Sequence, residues 1–419
     1  LRRRRASRQH PRLTAPARFV PASQVEALQQ RCEAQSRTIS AMQESRAFKV
    51  ARVVRRVRWR IRNHLPTTGW ALRLTPRRPG PPRVAYLIPG KGLSGGTAVV
   101  LQHLNRLRER GFETWVIDVF DQEGTLDWFP GQQVPVVSLS GAPTDLDWAV
   151  ATGWQTVRPL DRLPARRKAY FVQSDETRFT DDPDTRDEIL ATYGRRFHYL
   201  TEARWIQRWL KDRFGHDAWY VPNGLDPTII HPTEPLAPRG DRLRVLLEGP
   251  IDIPFKGMAD AFAAVADLDC EVWCVSSLGK PRPGWRCDRF FERVPMERMK
   301  HIYSSCDVLL KMSRVEGFFG PPLEMMACGG TAVVAKVTGY DEYIVDGQNA
   351  LVVEPGDIAG ARHAIQLLMD DGELRDRLIA CGGKTATEWP WGTSIDTLVR
   401  KLHPIGRPTR MMANQDERE

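Results

Sequence analysis

Residues 83–118 read RVAYLIPGKGLSGGTAVVLQHLNRLRERGFETWVID. The first seven, RVAYLIP, form a short apolar run of the length a buried parallel strand needs. The next seven, GKGLSGG, hold four glycines. After them Val100, Leu101, Leu104 and Leu107 repeat at helical spacing, and Gly111 marks the stop. A second apolar run covers 114–119. Strand, glycine loop, helix and strand in this order predict the βαβ opening of a doubly wound α/β domain.

Working outward, further buried strands are expected at 135–139, 148–151, 169–172 and 219–221. Helices are expected over 184–193 and 202–214, and the turn Pro222-Asn223-Gly224 closes the half. The pattern then restarts. A strand at 243–248 precedes a loop with Lys256-Gly257 and a helix over 258–266. Strands at 271–275 and 308–311 flank a helix over 296–304. A short helix over 322–328 ends at Gly329-Gly330, strands follow at 331–335 and 350–353, and helices at 357–369 and 373–380. The fold class is α/β, with two Rossmann-like domains facing a cleft, at 83–225 and 226–390. A basic arm and Pro-rich linker (1–82) precede them and a C-terminal helix and tail (391–419) follows. Ligands of such sheets bind outside the carboxyl ends of the strands.

The composition is that of a globular chain: 42% hydrophobic and 27% charged over 419 residues. No run of 18 apolar residues reads as a membrane span, and no secretory leader is visible. The chain starts at Leu1 rather than Met, which suggests a segment of a longer protein. Its seven cysteines show neither zinc spacing nor CxxC pairs and read as scattered thiols in a reducing compartment. The net charge of +10 is uneven. Residues 1–80 hold 20 Lys+Arg against 3 Asp+Glu, and the remainder 41 against 48. Over 47–62, Val50, Val53, Val54, Val57 and Ile61 share one helical face, and Lys49, Arg52, Arg55, Arg56, Arg60 and Arg62 occupy the others. Such a helix suits an anionic membrane surface; packing against its own or a preceding domain is the alternative. Nucleic acid is not expected as a partner, because no recognition motif accompanies the charge. Residues 25–42 show a partial a/d pattern too short for a coiled coil. Five prolines between 65 and 82 mark a linker.

The segment richest in chemistry is EGFFGPPLE, Glu316 to Glu324. Two carboxylates stand eight residues apart, with Gly317 and Gly320 between them and Pro321-Pro322 opening a helix. The positive end of a helix attracts a phosphate. Glu324, expected in the first helical turn, can accept from a ribose diol, and Glu316 from sugar hydroxyls. A capped surface turn is the alternative.

Residues 313–357 resemble the C-terminal nucleotide-sugar motif of retaining GT-B glycosyltransferases of family 4, the glycosyl transferases group 1. The likeness rests on Glu316, Glu324, Ala327 to Gly330, Gly339 to Glu342 and Asn349 to Asp357. VPNGLDPTIIHP (221–232), EGPIDIPFKGMADAF (248–262) and residues 88–118 are similar to other family segments, so the resemblance spans roughly 83–400. It implies a nucleoside-diphosphate sugar as donor, no metal requirement and no other cofactor. It gives 83–225 the acceptor and 226–390 the donor. Glu324 would hold the ribose. Glu316 would meet the sugar hydroxyls, with the amides of Phe318, Phe319 and Gly320 nearby. Lys256 would neutralise the diphosphate, and Gly95 and Gly96 would let the first helix approach it. Departing diphosphate charge is what fixed cations and amide dipoles stabilise.

The chain departs from the family twice. Glu248-Gly249-Pro250 lacks the family's Arg, for which Arg314 is a candidate substitute. A family His is also missing, and YFVQSDETRF (170–179) stands in its place, with Gln173, Asp175 and Glu176. That segment is similar to rhamnosyl- and polysaccharide-assembling relatives; Asp175 would orient an acceptor hydroxyl or simply cap a strand-end turn. His103, inside the first helix, reads as structural. The leading expectation is a retaining transferase acting on a glycan or lipid-linked acceptor in surface polysaccharide synthesis, cytoplasmic and peripheral on the inner membrane face. The alternatives are a nucleotide-sugar epimerase or phosphorylase of the same architecture, or a non-catalytic scaffold binding glycan or membrane.

Overall fold

The computed structural model describes residues 74–403 apart from residue 239. The helix expected over 47–62, the pattern over 25–42, the linker as far as residue 73 and the tail beyond 403 lie outside the described residues.

Two all-parallel sheets carry the fold. The first contains β1 (Arg83–Ile88), β2 (Glu113–Asp118), β3 (Val136–Ser138), β4 (Leu146–Ala151), β5 (Ala165–Val172), β6 (His198–Thr201) and β7 (Trp219–Tyr220), in the order β3-β2-β1-β4-β5-β6-β7. The second contains β8 (Arg244–Glu248), β9 (Glu271–Ser276), β10 (Arg289–Glu292), β11 (Val308–Lys311), β12 (Thr331–Ala335) and β13 (Leu351–Val353), in the order β10-β9-β8-β11-β12-β13. Both orders reverse once, between β1 and β4 and between β8 and β11. Those reversals are the topological switch points where such folds place ligands.

The strands are apolar on both faces because both faces are covered. Val84, Tyr86 and Ile88 of β1 belong to one core and Ala85 and Leu87 to the core on the other side. In β8, Val245 and Leu247 face one core and Leu246 the other. This explains continuous runs such as VAYLI and VLL where a half-solvated sheet would alternate. The helices supply the cover: α1 (Gly95–Glu109), α2 (Trp154–Arg162), α3 (Pro183–Tyr193) and α4 (Arg204–Phe214) with the first sheet, and α5 (Met258–Val265), α6 (Met296–Ser305), α7 (Gly320–Ala327), α8 (Ile358–Asp370) and α9 (Gly372–Thr387) with the second. Ser94 opens α1 by accepting the Thr97 N–H at 3.1 Å, and Gly111 (φ +82°) follows its end where the sequence placed the stop.

The last helix, α10 (Trp391–Leu402), returns to the first sheet. Trp391, Ile395, Leu398 and Leu402 join the core of Val84, Tyr86 and Leu104, and Trp148 Nε1 donates to Leu402 O at 2.9 Å. The chain therefore crosses between the sheets twice, side by side. Leu225 N–H donates to Trp389 O at 2.7 Å and Ser394 Oγ to Pro222 O at 2.5 Å. A Cβ on Gly224 would lie 2.5 Å from Trp391 N, so only glycine admits this approach.

Three elements were not visible in the sequence. Helix α2 holds Pro159 in its interior, which reads as a breaker. Strands β6 (HYLT) and β10 (RFFE) begin and end on polar residues and hold only two apolar residues each. Helix α7 starts at Gly320, two residues before the expected start. This corrects the placement of Glu324, which lies beyond the first turn; no acidic residue occupies that turn.

Candidate active site

The second switch point gathers the charged groups. Lys256 lies in the short 3₁₀ turn Pro254–Lys256 after β8. Its Nζ donates to both carboxylate oxygens of Glu316 at 2.9 Å. Glu316 is nearly buried, at 9% exposure. Lys311 ends β11, one position beyond the Leu310–Leu247 pair, so it stands opposite Glu248. Its Nζ donates to Glu248 O at 3.0 Å and also to the Glu248 carboxylate. Glu324 projects from α7 and accepts from the Tyr303 hydroxyl at 2.9 Å. Burial pushes the Glu324 carboxyl up to about 7; Tyr303 opposes this, Glu248 adds to it and Lys311 opposes it. A carboxyl poised near neutrality in a cleft is a mark of a functional site.

The amide donors are fewer than the sequence suggested. Pro321 and Pro322 open α7 and carry no N–H. Gly320 N–H donates to Phe318 O at 3.2 Å. Phe318 N–H is taken by Glu202 Oε1 at 3.0 Å, and the Phe319 side chain is fully buried. Two prolines and the engaged N–H groups of Phe318 and Gly320 therefore leave this helix start with fewer free donors than the sequence suggested. Arg314 forms an ion pair with Asp260 at 2.6 Å.

The first sheet contributes a clamp. Glu202, at the end of β6, also accepts from Asn223 Nδ2 at 3.0 Å. Burial raises its carboxyl to about 7, against the bonds from Asn223, Phe318 and Gln173, with Glu316 adding to the rise. Trp205 Nε1 donates to Gly317 O at 2.8 Å, and Arg178 Nη1 to Thr338 Oγ1 at 2.8 Å, which in turn donates to Glu316 O at 3.1 Å. Glu342 of the second half accepts Arg204 N–H at 2.5 Å and the Tyr220 hydroxyl at 2.6 Å. At the centre, a Cβ on Gly317 would lie 1.9 Å from Gln173 O. The Glu316–Phe318 loop is thus held between the two sheets by backbone contact.

Gly95 and Gly96 begin α1 at the first switch point. Gln173 Nε2 donates to Gly96 O at 3.1 Å, which ties this helix start to the residue that touches Gly317. Asp175 caps the turn Glu176–Phe179, accepting from Thr177 N–H at 3.1 Å and Thr177 Oγ1 at 2.6 Å. Its neighbour Glu176 accepts the Tyr170 hydroxyl at 2.7 Å and Trp154 N–H at 3.0 Å, and burial raises its carboxyl to about 7. His103 is fully buried among Tyr86, Phe171 and Trp391, and burial lowers its ring pKa to about 3.

The structure thus brings together Lys256, Glu316, Phe318, Phe319, Gly320 and Glu324, and joins Gly96 to them through Gln173. Glu202, Glu248 and Lys311 were missed. Lys311 closes an apolar strand and Glu202 precedes a helix, positions where a single charge usually faces water. The available signal was a Lys and a Glu at the ends of two strands flanking a switch point. Among the described residues no group of three or more His, Cys, Asp or Glu is placed to hold a metal ion. Nor is any helix among them long and apolar enough to cross a membrane.

Comparison with known proteins bears on the domain and the fold. Residues 289–385 match the family Glycosyl transferases group 1. The chain is 28% identical over 273 residues to the O-antigen biosynthesis protein RfbC of Myxococcus xanthus, covering 62% of this chain and 21% of that one. It is 34% identical over 111 residues to the O-antigen chain mannosyltransferase B of Escherichia coli, covering 26% and 28%. The matches thus span about a fifth to a quarter of those two relatives. Among solved structures, sucrose-phosphate synthase of Thermosynechococcus elongatus superposes with a TM-score of 0.65 at 15% identity, covering 77% of this chain and 99% of that one. The Anabaena protein HepE, solved with UDP-glucose, gives 0.63 at 16%, covering 76% and 99%. The two-sheet architecture is the GT-B fold of glycosyltransferases.

Proposed function

We propose that the protein is a retaining glycosyltransferase of family 4 that moves a sugar from a nucleoside diphosphate to a glycan or lipid-linked acceptor in surface polysaccharide synthesis. The observation that carries this reading is the constellation at the second switch point: Lys256 on both oxygens of Glu316, with Glu324 eight residues on. Glu324 accepts from the ribose diol, whose hydroxyls would join the Tyr303 hydroxyl on a carboxyl that burial has raised. Glu316 accepts from the sugar hydroxyls, and Lys256 faces the diphosphate.

In the transfer, the bond between the anomeric carbon and the diphosphate oxygen breaks, and both electrons leave with the diphosphate. The acceptor oxygen bonds to the anomeric carbon from the same face, and its proton passes to the departing oxygen. No enzyme nucleophile is involved, so Glu316 and Glu324 do not act as a glycosidase pair. Fixed positive charge at the leaving oxygens lowers the barrier because charge develops there. The relatives involved in O-antigen assembly support a polysaccharide acceptor, and a dTDP-rhamnose donor is one candidate for the test. The basic surplus of residues 1–80 supports action at the cytoplasmic face of an anionic membrane.

The test is release of nucleoside diphosphate from UDP-, GDP- and dTDP-sugars with lipid-linked oligosaccharide as acceptor. Acceptor-dependent release that Glu316→Ala abolishes supports the reading. An epimerised donor without acceptor would replace it with an epimerase. Function that survives Glu316→Ala would replace it with a scaffold.

A further inference from the structure

We propose that Lys311 is a second diphosphate-binding cation of this site and that Glu248 is its counter-ion while the donor is absent. The proposal rests on the donor reading above. A diphosphate brings several negative charges into a place where three carboxylates, Glu248, Glu316 and Glu324, already face two lysines. The start of α7 cannot make up the difference, because two of its first three positions are proline. Arg314 is engaged by Asp260. Lys256 is engaged by both oxygens of Glu316. One further cation lies at the switch point itself.

Lys311 is 3% exposed, a rare state for lysine. An ammonium has three donors. Glu248 takes two of them, through its carbonyl and its carboxylate, and the third has no bonded partner among the described residues. Burial alone would pull the proton off this amine; Glu248, then Glu316 and Glu324, hold it on. Glu248 first, and behind it the two carboxylates assigned to the donor, thus set the charge of Lys311.

Position 249 shows where that charge is available. A Cβ built on Gly249 would stand 3.3 Å from Met258 Sδ, 3.7 Å from Lys256 Cβ and 3.7 Å from Lys311 Nζ. The two lysine side chains flank one residue that has no side chain, at the carboxyl end of β8. A phosphate at this strand end would be approached by both lysines once the flexible Met258 thioether gives way. On binding, the Lys311 ammonium would exchange the Glu248 carboxylate for a phosphate oxygen and keep the carbonyl bond. A buried pair of this kind adds little stability by itself, which fits a pair held for exchange.

The test is calorimetric titration of the full chain with UDP, GDP, dTDP and ADP and with the matching nucleosides. Wild type, Lys311→Met, Lys311→Arg and Glu248→Gln are compared. For the diphosphate that wild type binds, Lys311→Met should weaken affinity about tenfold or more, as loss of a charge-assisted bond does, while nucleoside affinity changes less than about twofold. Lys311→Arg should restore most of the loss. Glu248→Gln should bind the diphosphate at least as tightly as wild type, because a competitor for Lys311 has been neutralised. A purely structural pair predicts instead that Glu248→Gln weakens diphosphate and nucleoside alike, and that result overturns the proposal even if Lys311→Met fails to fold. Equal losses for diphosphate and nucleoside in Lys311→Met would also overturn it. Wild type binding none of the four diphosphates would overturn the donor reading and this assignment together.

Discussion

The two switch points share one topology and differ in charge. At the first, between β1 and β4, the loop lysine is committed: Lys91 pairs with the buried Asp118 at 3.2 Å, and the same carboxylate accepts the N–H groups of Phe120 and Gln122 at 3.2 and 2.9 Å. The groups at this switch point that lie nearest the second half, Gly96 and Gln173, are neutral, and the charged groups that cross from the first sheet, Arg178 and Glu202, follow β5 and β6 instead. At the second, between β8 and β11, two lysines and three glutamates converge. One scaffold thus supplies a switch point whose lysine is committed to its own loop and another where charges of both signs converge. The difference lies in the residues that end the strands, while the strands themselves are interchangeable apolar runs.

The sharpest way to break this comparison is to remove one lysine from each half. Lys256→Ala should lower turnover about 10²- to 10³-fold, the usual cost of losing one fixed group at a developing charge. Lys91→Ala should lower the melting temperature and leave turnover within about threefold, since its ion pair serves the loop. Steady-state kinetics beside thermal melting distinguishes the two. Equal kinetic losses would show that both switch points are charged in function.

Gly317 comes next, because it joins the two regions. Gly317→Ala puts a methyl 1.9 Å from Gln173 O, so the loop and the first sheet must separate. The expected result is a fall in kcat/KM of about tenfold or more, in line with the cost of about 1 Å of misplacement. Unchanged kinetics would mean that this contact is not part of the working state.

A smaller effect should appear in the pH dependence of stability. The Glu202 carboxyl is raised from 4.5 to about 7 by burial, so the folded state holds its proton more tightly than the unfolded chain does. The stability this adds is full below about 4.5 and is lost as pH rises through about 7. Glu202→Gln should flatten that part of the melting-temperature profile. A profile as steep as that of wild type would assign the slope to Glu176 and Glu324.

The smallest effect concerns Gly95. It opens α1 with an ordinary helical backbone, and a methyl group there would meet nothing within 4 Å. Gly95→Ala should therefore raise stability by about 0.5 kcal/mol, yet weaken diphosphate binding severalfold if α1 approaches the ligand. Gain in both would remove the first helix from the donor site.

Much of this comparison could be read from the sequence, and the omissions have physical causes. Apolar runs bounded by glycine or proline revealed β1, β8 and β12, and the short run VLL revealed β11, because both faces of each sheet are buried. The Glu316–Glu324 block was legible since its glycines, prolines and carboxylates are adjacent along the chain. Lys311 and Glu248 were not, because their partnership exists only through β8–β11 pairing across more than 60 residues. Glu202 was hidden for the same reason: its partner Phe318 is 116 residues away. The return of α10 to the first sheet is likewise a long-range packing event, which no local periodicity encodes.

The account turns on a donor site at the second switch point. Its most direct test is a thermal-shift series of the full chain with UDP, GDP, dTDP and ADP, using Glu324→Ala as the control. At a concentration 100-fold above its Kd, a bound diphosphate adds about 2.7 kcal/mol of stability. A donor site there gives a clear upward shift with one of the four in wild type and none in Glu324→Ala. No shift with any of them, or a shift that Glu324→Ala keeps in full, would contradict it.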